Sequence, residues 1–537
     1  TGKAIAQKNK EKTQKKTADK PDTTVEVKID ETGLTDRIES LPVAPGNYYN
    51  LTATNEGLYY VAASFRTPGH LKFFDLKDKK ETETGDINSY SISNNQKKII
   101  FKKGDDFFIE DVSKIKIEAK NKLNLSGLKI NTDLHAEWKQ IFDESWRQMR
   151  DYFYDPNMHG VNWKAMHDKY AVLLPYVNHR NDLAYIIGEM IGELGIGHAY
   201  VTRGDRPEAE RIRMGLLGAT FSRDKSGYYK IDSILSGESW DKTLVSPLRQ
   251  PGVNVKKGDY IISINGKDVS RLDNIYQALI GKANQAIEIL VNSKASVTGS
   301  RKVFVKPIDD ESNLYYHEWV QQNIAKVTKA SGGKIGYLHI PDMGPEGLNQ
   351  FARYFYPQLD KEALIIDDRG NGGGNVSPMI IERLRRVPGL GTMMRNAKTA
   401  NIKPDAQVGP KICLIDQYSA SDGDLFPYQF QFYKIGPLLG QRTWGGVVGI
   451  RGSLPFIDGA DMRKPEFAHF AADGSKFIIE GEGVHPDIEV VNDPHQEWLG
   501  SDVQLQRAIE ELQKKLQEPG PTGVPPIPAF PDKSGKK

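Results

Sequence analysis

Cysteine is nearly absent from this sequence, with one thiol, Cys413, in 537 residues. That excludes an intramolecular disulfide, a cysteine-rich zinc site and an iron–sulfur cluster. An excess of one charge sign is missing too. Lys and Arg number 72 against 70 Asp and Glu, a formal net charge of +2. Nothing here supports a basic nucleic-acid surface or an acidic solvating tail. No apolar run approaches the roughly 18–20 residues of a membrane-spanning helix. No metal-binding spacing such as His-Glu-x-x-His occurs, so neither a metal nor a cofactor is expected. What the chain does have is 38% hydrophobic residues, 50 glycines and 29 prolines, enough for several cores joined by many turns. Its length predicts roughly three to five domains.

The chain divides by composition. Residues 1–23 are Lys-rich without apolar period and read as a disordered linker. Residues 24–131 carry short alternating runs, Thr24–Ile29, Gly57–Val61, Leu71–Leu76, Lys98–Phe101 and Asp106–Ile109, separated by polar clusters. Such runs predict antiparallel hairpins, and their spacing resembles the end of a β-propeller. Two blades cannot close a propeller, so earlier blades or a companion chain are expected upstream. Residues 132–212 read as helical, with Leu134, Trp138, Ile141, Phe142, Trp146, Met149 and Phe153 on one face at helical spacing. Residues 213–308 form a β-rich module with a hairpin signal at Asn265-Gly266. Its Gly215-Leu216-Leu217-Gly218 loop and Gly258-Asp259-Tyr260-Ile261-Ile262-Ser263-Ile264 core resemble a PDZ domain. In such domains a peptide adds to a sheet edge beside that loop, and a spacer that binds nothing is the alternative role. Residues 309–516 alternate strands and helices as an α/β layered domain, and 517–537 form a Pro-rich flexible tail.

Three stretches carry chemistry. Asp367-Asp368-Arg369-Gly370-Asn371-Gly372-Gly373-Gly374 follows a buried strand and precedes a helix, where outward amides hold an anion or an oxyanion. It lacks the Gly-Lys-Ser/Thr ending of a nucleotide loop. Tyr418-Ser419-Ala420-Ser421-Asp422-Gly423-Asp424 follows the strand of Cys413, and its small residues suit an exposed serine at a strand-to-helix turn. The same residues suit a plain helix cap by Ser421 or Asp422. Gly197-His198 places one of eleven histidines between small neighbours. Cys413 itself reads as a buried core residue.

Taken together, Gly197-His198-Ala199-Tyr200, Arg369 to Gly374, Ser419 to Asp424 and Glu480-Gly481-Glu482-Gly483-Val484-His485-Pro486-Asp487 resemble the C-terminal half of the tricorn protease family, relatives of the tail-specific peptidases. The resemblance implies a multidomain α/β and β fold. Its parts would be propeller strands, a helical subdomain carrying the catalytic histidine, a PDZ-like module and a crotonase/ClpP-like α/β serine peptidase domain. It implies Ser421 as nucleophile, His198 as base and Glu480 as the acid behind it. Gly373, or otherwise Gly372, and the amide of Asp422 would form the oxyanion hole. It further implies peptide substrates, a hexameric homo-oligomer and a cytoplasmic location, or a periplasmic one if a signal peptide lies upstream.

The chain also departs from its kin. Tail-specific peptidases use a lysine base in a Gly-rich segment, and Gly440 to Gly449 contains none. Val387 to Pro404 contains no Asp or Glu to select basic side chains. A non-catalytic PDZ-containing scaffold that captures peptide C-termini is the competing reading, with an α/β domain that binds an apolar small molecule as a third.

Overall fold

A computed structural model describes residues 29–63, 69–112, 121–202, 204–396, 401–403, 406–452, 454–518 and 527–535. The expected linker over 1–23 and all but Ile29 of the first expected strand lie outside these residues. So do residues 519–526 and 536–537 of the tail, and its described parts, 517–518 and 527–535, form no helix or strand. The chain divides into two compact units, 1–131 and 132–537.

The first unit is two antiparallel sheets. Asn47–Ala53, Gly57–Ala63, Gly69–Asp75 and Lys80–Ile87 form a four-stranded meander, and Ser89–Ile92, Lys98–Lys103 and Asp106–Asp111 a three-stranded one. Alternate residues Tyr59, Val61, Leu71, Ile99, Phe101 and Phe108 meet in one core. Among the described residues these strands do not close a propeller. Lys80–Ile87 escaped notice in the sequence because Lys-Glu-Thr-Glu-Thr-Gly carries no apolar alternation.

The second unit opens with the helix Leu134–Tyr152. The Asp133 side chain caps it, accepting the amides of His135 and Ala136 at 3.1 and 3.2 Å. Trp138, Ile141, Phe142 and Met149 turn inward as expected, whereas Leu134, in the first turn, is exposed. A second helix, Trp163–Ala171, follows. Asn162 caps it, and Trp146 and Trp163 exchange indole–carbonyl hydrogen bonds of 2.8 and 3.0 Å. The third, Arg180–Gly192, buries Leu183, Ile186, Ile187 and Met190.

The β-rich module is an antiparallel sheet in the order Arg301–Val305, Ile287–Asn292, Tyr260–Ile264, Tyr229–Ile234, Ala219–Arg223. Asn265 and Gly266 both take positive φ, 46° and 76°, the hairpin turn their pairing predicts.

The α/β domain is built on five parallel strands, Ile335–His339, Ala363–Asp367, Lys411–Ile415, Leu438–Gly440 and Ile488–Glu489, side by side in chain order. The period of two sorts their side chains. Leu364, Ile366, Cys413 and Ile415 pack on one face with Phe351, Phe355, Phe426 and Phe430. Ile365, Ile412 and Leu414 pack on the other with Leu505, Ala508, Ile509 and Leu512 of the helix Val503–Lys515. Cys413 is fully buried, and burial pushes its thiol pKa well up, so it serves as a core residue. In an open parallel sheet the crevice lies beyond the carboxyl ends of the strands. Two adjacent strands here end in the glycine loop and the serine turn.

Candidate active site

The strand Lys411–Ile415 runs into Ser421, which has φ 58° and ψ −118°, a conformation that costs about 1–3 kcal/mol for a residue with a side chain. Ser421 stands at the N-cap position of the helix Asp422–Phe432, yet its hydroxyl caps nothing. The plain capping role is therefore not what this serine performs. Ser419 is fully buried and donates to the Asp368 carbonyl at 2.9 Å. Asp422 is the first helical residue, so its amide has no acceptor within the helix. Its carboxylate accepts the amide and hydroxyl of Ser377 at 3.0 and 2.5 Å, while burial raises its pKa.

The glycine loop lies directly against this turn. A Cβ on Gly373 would fall 2.6 Å from the Ser421 Cβ, 2.7 Å from the Ala420 carbonyl and 3.1 Å from the Asp422 amide. Asn371 joins the two loops. Its carbonyl accepts the Ala420 amide at 2.9 Å, and its side-chain oxygen accepts the Gly373 amide at 2.9 Å. The Gly373 amide is thus engaged by the Asn371 side chain, which turns back onto it two residues along. The alternative donor, Gly372, gives its amide to the Pro341 carbonyl at 3.3 Å. Below the loop the buried Arg369 guanidinium pairs with Asp367 at 2.6 Å and Asp502 at 2.9 Å, tying the loop to the last helix.

His198 comes from the helical segment, 223 residues before Ser421. The strand Tyr200–Val201 pairs with Met462–Phe467, which pairs in turn with Gly449–Arg451. This small sheet carries His198 to the α/β domain. Its Nδ1 lies 2.7 Å from the Val448 carbonyl. That oxygen only accepts, so Nδ1 carries the proton and the neutral ring keeps its lone pair on Nε2. Burial pulls the His198 pKa below the usual histidine value, against the Val448 bond and the Glu480 charge, which raise it.

Glu480 does not face the Nδ1 nitrogen as expected. Its carboxylate accepts the amides of Val447 and Val448 at 2.7 and 2.9 Å. Nδ1 is already taken by the Val448 carbonyl, so Glu480 reaches the imidazole through the backbone of Val448, whose amide it holds, and through its charge. Ile479, just before it, is held at φ 49°, rare for a β-branched residue.

A cleft of about 710 Å³ is lined by His198, Gly373, Ser421 and Asp422 together. Its remaining wall is largely apolar, with Leu425, Tyr428, Ile450, Phe467 and Phe470. No lysine lines it among the described residues. Sequence reading passed over three contributors, Asn371, Val448 and His469. Val448 acts through its backbone, which no side-chain pattern records. Asn371 stood inside a glycine motif that drew attention to its neighbours. His469 lines the cleft too, and burial lowers its pKa against the pull of Asp422. The loop of Gly215, Leu216, Leu217 and Gly218 is not part of this cleft. Among the described residues no group of three His, Cys, Asp or Glu side chains could hold a metal ion.

Residues 134–192 match the tricorn protease C1 domain, 215–310 the tricorn protease PDZ domain, and 334–490 peptidase family S41. The chain belongs to the tricorn protease family. Tricorn protease homolog 1 of Streptomyces coelicolor is 34% identical over 530 residues, covering 93% of this chain and 48% of that protein. Tricorn protease of Thermoplasma volcanium is 32% identical over 503 residues, covering 89% of this chain and 47% of that protein. The crystal structure of the tricorn protease superposes with a TM-score of 0.79 at 30% identity, covering 89% of this chain and 47% of that one. The chain thus spans about half the length of these tricorn relatives. No helix among its described residues is long and apolar enough to cross a membrane.

Proposed function

We propose that this chain is a serine peptidase that hydrolyses short or unfolded peptides through an acyl-enzyme. The observation that carries the reading is the uncapped Ser421 hydroxyl, held at positive φ on the same cleft as His198. Nε2 of His198 takes the hydroxyl proton as the oxygen attacks the scissile carbonyl carbon. The Asp422 amide receives the developing oxyanion, with Gly373 as a second donor shared with Asn371. The imidazolium then gives its proton to the departing amine, and water repeats the sequence to release the acid. Glu480 is a positioning residue that fixes the Val448 carbonyl and favours the charged imidazole.

The apolar wall favours peptides with hydrophobic side chains beside the cleaved bond. Assembly into a tricorn-like homo-oligomer, completion of the propeller by further blades, and a cytoplasmic location go with the same reading. Size-exclusion chromatography with light scattering tests the assembly, a single-chain mass counting against it. Hydrolysis of a blocked tripeptide amide tests the chemistry. Ser421→Ala is expected to lower kcat roughly 10⁶-fold with the fold intact. Undiminished turnover would refute the assignment.

A further inference from the structure

The loop Met214 to Gly218 leads into Ala219–Arg223, the end strand of its sheet. Among the described residues no strand covers its outer edge. Gly218 takes φ 69°, which turns successive amides toward one point, a geometry that binds anions. A side-chain carboxyl group is already there. The carboxylate of Glu311 accepts the Gly218 amide at 2.6 Å, and burial raises its pKa while the amides of Gly218 and Ala219 pull it down.

Glu311 is an unusual residue to find in that place. It is 9% exposed, and among the described residues no Lys or Arg pairs with it. Burying an unpaired carboxylate costs several kcal/mol unless hydrogen bonds compensate, and here backbone amides alone do so. It occupies the N-cap position of the helix Ser312–Ser331, where its side chain makes no capping bond. The local capping bond has been given up for the distant loop. Leu314, one turn further on, is buried with Leu235 and Leu244. Leu216 is bridged in both directions to Ile308, at 2.8 and 3.0 Å, which brings the segment before Glu311 alongside the loop. A carboxylate followed by a buried aliphatic side chain matches what such a loop takes from the end of a peptide.

We infer that the Gly218–Ala219 amide pair is a carboxylate-binding site whose resident ligand is Glu311 of the same chain, so that peptide C-termini bind there only when Glu311 is displaced. The β-rich module then acts as a spacer locked to the first helix of the α/β domain. A scaffold that captures C-termini freely is not what this contact allows. Ser236 adds a second tie to that helix, its amide donating to Glu318 at 2.8 Å.

Fluorescence anisotropy on the full chain tests this, with Ser421→Ala present throughout to prevent hydrolysis. The probe is a labelled hexapeptide ending in leucine, used with a free carboxylate and as its C-terminal amide. Adding Glu311→Ala is expected to tighten binding of the free-acid peptide at least about tenfold, with no gain for the amide. Binding in the catalytic cleft would be common to both backgrounds and cancels. Glu311→Gln, nearly isosteric, is expected to give a smaller gain in the same direction. It keeps the inference testable if Glu311→Ala does not fold. Equal affinity for the free-acid peptide with and without Glu311, or no carboxylate-dependent gain in a folded Glu311 variant, would overturn the inference.

Discussion

Nδ1 of His198 meets the Val448 carbonyl at 2.7 Å, and the amide of that same Val448 is held by the Glu480 carboxylate at 2.9 Å. One residue of backbone thus stands between the acid and the imidazole, where a direct carboxylate–imidazole contact was expected.

Glu480→Gln should therefore slow the enzyme without abolishing it. Weakening charge-assisted bonds to two amides costs about 1–3 kcal/mol, or roughly 5- to 150-fold in kcat. His198→Ala should cost far more, because it removes the base itself. Steady-state rates on one tripeptide substrate compare the two, and equal losses would contradict the positioning role.

The pH profile follows from the same arrangement. Only neutral His198 accepts the serine proton, so activity rises as the ring deprotonates. Burial lowers the His198 pKa, which places the acid limb of kcat/KM below the usual histidine value of about 6.5. The Glu480 charge raises that pKa, so Glu480→Gln should move the limb lower still. A limb that moves up in the variant would contradict the sign.

Two neighbouring glycines should behave differently. Gly373→Ala would drive a methyl group to 2.6 Å from Ser421 at φ 87°, so activity should be lost and Tm lowered. Gly372 has open space where a Cβ would stand, so Gly372→Ala should keep both Tm and fold close to the parent. Thermal unfolding and tripeptide hydrolysis of the pair check this.

Asp502→Ala should destabilise the α/β domain by about 3–5 kcal/mol, because it leaves the buried Arg369 charge without its outer partner. Burial opposes ionisation of Asp502, but Arg369 and further hydrogen bonds hold its pKa below the ordinary carboxylate value. Its contribution to stability is therefore present above about pH 4 and fades as pH falls through the lowered pKa. Urea unfolding at pH 7 and at pH 3 should show a smaller difference between parent and variant at the lower pH.

The sequence was most legible where a single period or a single residue type sets the structure. The apolar runs of Ala363–Asp367 and Lys411–Ile415 became the two strands under the site, and Asn265-Gly266 became its hairpin turn. Small residues around Ser421 pointed to a turn that only close packing explains, as Gly373 against Ser421 shows. Interactions made by backbone atoms far apart in the chain were not legible. The Val448 carbonyl has no residue signature, and it decided what holds His198. The Glu311 carboxylate looked like an ordinary residue before a helix, and only the fold brought it to Gly218.

The nucleophile is the central claim, and covalent labelling tests it most directly. A fluorophosphonate probe followed by peptide mapping should place the adduct on Ser421. Labelling should persist in Ser419→Ala, since Ser419 is buried and bonded to the Asp368 carbonyl, and should vanish in Ser421→Ala. An adduct mapped to any other serine, or undiminished labelling of folded Ser421→Ala, would contradict the account.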